Sequence, residues 1–119
     1  MNDLSNHARG RWGESRAASH LRSLGFSILD RNWRPVEPEL RGDLDLVARR
    51  GELIVFCEVK ARRSAGFGGA AAAVDQTKQH RVRRLAASWL RLHDLGDLDV
   101  RFDVIAIEGV ALTHHPAAF

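Results

Sequence analysis

The chain has 119 residues, 45% hydrophobic and 28% charged, with a formal net charge of +3 and an isoelectric point near 10. That length supports one core with little room for a second, and the balance of apolar to charged residues excludes a disordered chain. No apolar run approaches the ~20 residues of a membrane helix and MNDLSNHARGR carries no apolar leader, so a cytoplasmic protein without a membrane partner is the default expectation.

The basic residues are nearly all arginine, with Lys60 and Lys78 the only lysines. A guanidinium binds phosphate oxygens through two parallel bonds and stays charged, which is compatible with a nucleic-acid partner, although a genome-wide composition bias would produce the same excess. Cys57 is the single cysteine, which excludes an intrachain disulfide or a cysteine metal cluster, and it reads as a small buried hydrophobe.

In chain order, Met1 to Ala8 reads as a loose end. Helical spacing then runs from about Arg11 to Ser23, with Ala17, Ala18, Leu21 and Leu24 on one stripe and Gly25 as the stop. Carried backwards, the stripe reaches Glu14, which turns toward the core while Ser15, Arg16, Ser19 and Arg22 face water. A carboxylate there also complements the helix dipole without any further role. Phe26 to Trp33 reads as a strand, closed by Pro35 and Pro38.

The segment Gly42 to Lys60, GDLDLVARRGELIVFCEVK, reads as a β-hairpin that carries acids. Its apolar runs, Leu44 to Ala48 and Leu53 to Val59, flank a turn containing Gly51. Asp45 interrupts the first run, and Glu58 and Lys60 bracket Val59, where a buried strand favours aliphatic residues. A type II′ turn at Gly51-Glu52 pairs Arg50 with Leu53, and counting outward sets Asp45 opposite Glu58 and Asp43 opposite Lys60. A turn at Arg50-Gly51 would set Asp43 opposite Glu58 instead. Either register confronts Glu58 with an acid on the same face, and such a pair repels itself unless a cation, a shared proton or a neighbouring base compensates.

After Lys60, ARRSAGFGGAAAA reads as a mobile cationic loop, and its glycines match no phosphate-binding fingerprint. A second helix is expected from Asp75, a competent N-cap, to Leu95 before Gly96, with Val82, Leu85, Ala86 and Trp89 as its apolar stripe and Lys78 one turn back along it. Arg81, Arg83, Arg84 and Arg91 occupy much of the rest, as a solvated face or as a phosphate contact. Val100 to Ile107, apolar on both faces apart from Asp103, reads as an internal strand. Gly109 marks a turn to a short edge strand, Val110 to Thr113, and residues 114–119 read as a loose tail in which the adjacent His114 and His115 form no metal site. The order is αβββαβ with one further short strand, a single α/β domain over residues 1–119 in which a mixed sheet is flanked by helices.

An acid on one strand and acid-x-lysine on the next is the constellation Asp45, Glu58, Lys60. With Gly13-Glu14, Asn32-Trp33-Arg34, Gly42-Asp43-Leu44-Asp45-Leu46, Phe56-Cys57-Glu58-Val59-Lys60-Ala61-Arg62, Lys78 and Arg101-Phe102-Asp103-Val104, the chain resembles the YraN family of small bacterial proteins. That family resembles archaeal Holliday junction resolvases and, more broadly, restriction-endonuclease-like nucleases of the PD-(D/E)xK type. The resemblance implies a restriction-endonuclease-like core and Mg²⁺- or Mn²⁺-dependent hydrolysis of phosphodiester bonds, with branched or flapped DNA as a candidate substrate. It implies Asp45, Glu58 and Glu14 as metal ligands, with the Val59 carbonyl as a further one, and Lys60 holding the attacking water or stabilising the charge on phosphorus. It implies Gln76 and Lys78 as a polar pair near the substrate phosphate. The paired arginines Arg62 and Arg63 are expected to contact nucleic acid, with DNA favoured over RNA, and a homodimer is a further implied partner. The competing readings are a nucleic-acid-binding module of the same fold without turnover, and a buried ion-pair network that serves only the fold.

Overall fold

A computed structural model of the chain describes residues 2–62 and 74–119, with side chains from Gly10 onward. Helical and alternating hydropathy resolve into α1 (Asn2–Ser23), β1 (Ser27–Trp33), β2 (Leu44–Arg50), β3 (Leu53–Arg62), α2 (Gln76–His93), β4 (Asp99–Glu108) and β5 (Ala111–His115). The strands form one five-stranded sheet in the order β1-β2-β3-β4-β5. Only β3 and β4 are parallel, joined through α2, and the other neighbours are antiparallel. The fold is therefore mixed α/β.

Each helix covers one face. Ala17, Ala18 and Leu21 of α1 pack on Leu46, Ala48, Val55, Cys57, Ile105 and Ile107. Val82, Leu85, Ala86 and Trp89 of α2 pack on Val47, Ile54, Phe56 and Phe102. From Leu46 on, consecutive residues of β2 and β3 alternate between the two cores, as period-2 geometry requires, while Leu44 joins the α2 core. The buried Trp89 indole donates to Asp30 Oδ2 at 3.1 Å, so its one polar group is satisfied. Gly13 seats α1 directly on β3: a Cβ there would lie 2.9 Å from the Ala61 Cβ, which explains a poor helix former in the middle of the helix.

Asp75 caps α2 as its residue type predicts, accepting from the Lys78 N–H at 2.9 Å. Asp75→Ala is expected to cost about 1 kcal/mol in a urea melt, the usual loss when a capping carboxylate is removed.

Several boundaries differ from the sequence expectations. The helical pattern reaches back to Asn2 rather than leaving residues 2–8 loose. Ala61 and Arg62, expected in the loop, extend β3, and the rest of that loop, including Arg63, lies outside the described residues. α2 ends at His93, short of Leu95, because Asp94 adopts a left-handed conformation at φ 55° and its N–H turns back to the last carbonyls.

The C-terminal segment is not loose. β5 extends to His115, the Ala118 N–H donates to the Phe102 carbonyl at 2.8 Å, and Phe119 stacks on Phe102 with centroids 5.3 Å apart. Arg83 lies over both rings, holding the chain end to α2.

Candidate functional site

The hairpin turn decides the site. Of its two central residues only Gly51 has positive φ, at 59°, which is the type II′ pattern, and Arg50 pairs with Leu53. The ladder runs out to Leu46 opposite Cys57, and Asp45 and Glu58 are the next residues beyond it, within reach of each other's charge. Both belong to the face on which Val47, Ile54 and Phe56 meet α2, and Lys60 follows one pleat later.

Glu58 is buried, and its Oε2 lies 3.1 Å from the Lys78 Nζ, which reaches it from the first turn of α2. Asp45 accepts from the Val59 backbone N–H at 2.9 Å. Burial and then the Glu58 charge push the Asp45 carboxyl up to about 8, against the pull of the Val59 N–H, with Asp43 and Glu14 adding smaller repulsions. Burial and the adjoining Lys78 hold Lys60 below its ordinary value. Lys78 is held above its own, because Lys60, Glu58 and Asp45 together outweigh its burial.

The structure thus gathers Asp45, Glu58, Lys60 and Lys78. Glu14 approaches from α1, on the opposite face of the sheet, and its Oε1 accepts from the Asn32 amide at 3.1 Å. Among the described residues no group of three acidic, histidine or cysteine side chains is assembled as a ready metal cage. Gln76 is exposed at the start of α2, and Arg62 is half-buried at the end of β3.

The donor set fits a small hard cation. Two carboxylates are what a protein commonly offers Mg²⁺, which keeps water and substrate oxygens in its remaining positions. Burial first and the Glu58 charge second raise the Asp45 carboxyl, and a cation between the two carboxylates would offset that repulsion.

A second polar cluster, which sequence reasoning missed, lies on the α1 face. Asp103 is fully buried. Arg101 grips it with Nε and Nη2 at 2.8 and 2.9 Å, His114 Nε2 approaches at 2.7 Å, and the Ala117 N–H donates at 3.0 Å. Its signal was the Gly109 turn. Pairing Glu108 with Ala111 and counting outward sets His114 opposite Ile105, on the face that Asp103 shares.

The structure defines a mixed α/β protein with a carboxylate pair and two lysines beside the parallel strand pair. The family model described as "Uncharacterised protein family UPF0102" matches residues 13–107, a span containing all four of these residues. A UPF0102 protein of Frankia casuarinae is 52% identical over 100 residues, covering 84% of this chain and 81% of its own length. One from Acidothermus cellulolyticus is 45% identical over 113 residues, covering 87% and 83%, and one from Streptomyces griseus is 42% identical over 113 residues, covering 91% and 92%. The chain belongs to the UPF0102 family, the family recognised in its sequence as YraN. Among the described residues no helix is long and apolar enough to cross a membrane.

Proposed function

We propose that this protein is a divalent-metal-dependent nuclease with a restriction-endonuclease-like core, acting on nucleic acid and on DNA before RNA. The observation that carries the reading is the register of the hairpin, which sets Asp45 against Glu58 with Lys60 on the same face and Lys78 bonded to Glu58. In this reading Asp45 and Glu58 hold Mg²⁺ or Mn²⁺, and Glu14 joins them by leaving Asn32. A metal in this position supplies charge neutralisation at phosphorus and a more acidic water. Lys60 orients the attacking water or offsets the charge gathering on the phosphate oxygens, while Lys78, Gln76, Arg62 and Arg63 hold the flanking phosphates. The resolvase resemblance implies a homodimer as well, on which the chemistry of the site does not depend.

The test is cleavage of single-stranded, duplex and junction DNA with Mg²⁺ or Mn²⁺. Asp45→Ala and Glu58→Ala are expected to abolish cleavage, and Lys60→Met to slow it by about 10²–10³-fold. Wild-type rates in both carboxylate variants would end the assignment.

A second reading is supported by the contact between Lys78 and Glu58, which gives the buried acid a counter-charge from the protein itself. With Arg81, Arg84 and Arg91 exposed on α2, the protein would then bind nucleic acid without cleaving it. Binding that weakens steeply with salt, with no cleavage under either metal, separates this reading from the first.

A further inference from the structure

On the α1 face, α1 and the edge strand β5 border an open groove of about 640 Å³, lined by Arg16, Ser19, His20 and Ser23 on one side and Val110 and Leu112 on the other. The four helix residues are spaced i, i+3, i+4, i+7, so a single stripe presents a guanidinium, an imidazole and two hydroxyls. Among the described residues no carboxylate lines the groove. The Arg16 guanidinium lies over the Trp12 ring, 5.5 Å from its centroid, and its Nη1 is buried with no hydrogen-bond partner among the described residues.

Behind the groove runs a chain of ring nitrogens. His20 Nε2 lies 3.1 Å from His114 Nδ1, with the rings edge-on at 83°, and His114 Nε2 lies 2.7 Å from Asp103 Oδ2. Burial alone would raise the Asp103 carboxyl, but Arg101, His114 and the Ala117 N–H outweigh it and hold it below its ordinary value, so it is ionised and only accepts. His114 Nε2 therefore carries a hydrogen. His114 thus bridges Asp103 and His20 through its two ring nitrogens, and His20 Nδ1 takes part in neither contact.

The groups facing His20 are Arg16 on its own helix, His114 from β5, and beyond it Asp103 and Arg101 from β4. Cys57 of β3, beside Asp103, keeps its proton because burial pushes its thiol well up. Burial, His114 and the Arg16 charge, in that order, hold the His20 imidazole below its ordinary value. Arg16 and His20 stand one helical turn apart and both line the groove, so an anion bound there would offset their mutual repulsion.

We propose that this groove is a phosphate-binding subsite in which the anion is held by Arg16, Ser19 and His20 and binds together with one proton, taken from water onto His20. It does not rest on the nuclease reading, because it uses none of the same residues. Its ligand is a phosphate group, either free or in a nucleic-acid backbone. Phosphate suits the lining because it offers several acceptor oxygens in different directions to donors of three kinds.

The test uses the full chain, following histidine ring resonances by NMR. Inorganic phosphate and a short single-stranded oligonucleotide are the two ligand arms. Sulfate carries the pH arm, because its charge does not change between about pH 6 and about pH 8, the range in which histidine titrates. The His20 ring is expected to shift on titration, and sulfate to bind about tenfold more tightly at the lower pH. Arg16→Gln should weaken binding about tenfold or more with the melting temperature unchanged, and His20→Gln should remove the pH dependence. A response to inorganic phosphate supports a free-anion site, and a response to the oligonucleotide alone supports a backbone site. His20 resonances unmoved by either ligand, or equal affinity in Arg16→Gln, would overturn the proposal.

Discussion

Asp103→Asn is expected to cost about 3 kcal/mol at neutral pH, a larger loss than removal of either proposed metal ligand. The carboxylate is fully buried and accepts from Arg101 twice, from His114 and from the Ala117 N–H. An amide in its place turns donors toward donors and leaves the guanidinium without its counter-charge. The figure is at the lower end for breaking a buried pair because the Arg101 side chain keeps 27% of its exposure and can recover some hydration. The Asp103 carboxyl is held below its ordinary 3.8, so its contribution is present above that pH and is lost as pH falls through the depressed folded-state value. Urea melts of both forms at neutral pH and in acid measure this. A gap that fails to narrow in acid, or a loss below about 1 kcal/mol at neutral pH, would show that the cluster is not an ionic anchor.

Asp45 is expected to act with the opposite sign. Its carboxyl is raised from 3.8 to about 8, so between those values the folded chain holds a proton that the unfolded chain has released. Stability from this group is complete below the lower value and is lost as pH rises through the upper one, with a slope of up to about 1.4 kcal/mol per pH unit in metal-free protein. Asp45→Asn keeps an acceptor for the Val59 N–H but carries no charge, and should flatten that slope and stabilise the metal-free protein at alkaline pH. Mg²⁺ should stabilise the wild type most at alkaline pH and leave the variant nearly unaffected, because the ion binds the ionised pair. Melts at several pH values in chelator, repeated with Mg²⁺, read both effects. Identical slopes in the two proteins would remove the electrostatic argument for a cation at this place.

The helices and the hairpin were legible, and its register was narrowed to two, because each depends on near neighbours in the chain. Ala17, Ala18 and Leu21 mark one helix, Val82, Leu85, Ala86 and Trp89 the other, and Gly51 sets the turn that confronts Asp45 with Glu58. Lys78 was legible as a residue on the buried stripe of α2. Its contact with Glu58 was not, because that depends on how the crossover helix settles on the sheet.

Glu14 marks the limit of pattern reading. The helical stripe turned it toward the sheet, but its bond to the Asn32 amide and its repulsion of Asp45 depend on how α1 settles there. His114 failed for a related reason. Judged by its neighbours, His115 and Pro116, it reads as tail, yet antiparallel pairing with β4 brings it to Asp103, and α1 brings His20 to it.

Periodicity and turn chemistry in the chain alone established the elements, their order, the two buried stripes and the acid-facing-acid hairpin, since these are interactions over a few residues whose geometry the backbone imposes. The three-dimensional packing assigned α1 and α2 to opposite faces, engaged Lys78 with Glu58, bonded Glu14 to Asn32 and built the Asp103 cluster. Apart from the neighbouring Arg101–Asp103 pair, those outcomes depend on contacts between residues 11 to 94 positions apart, which helix and strand periodicity alone do not encode.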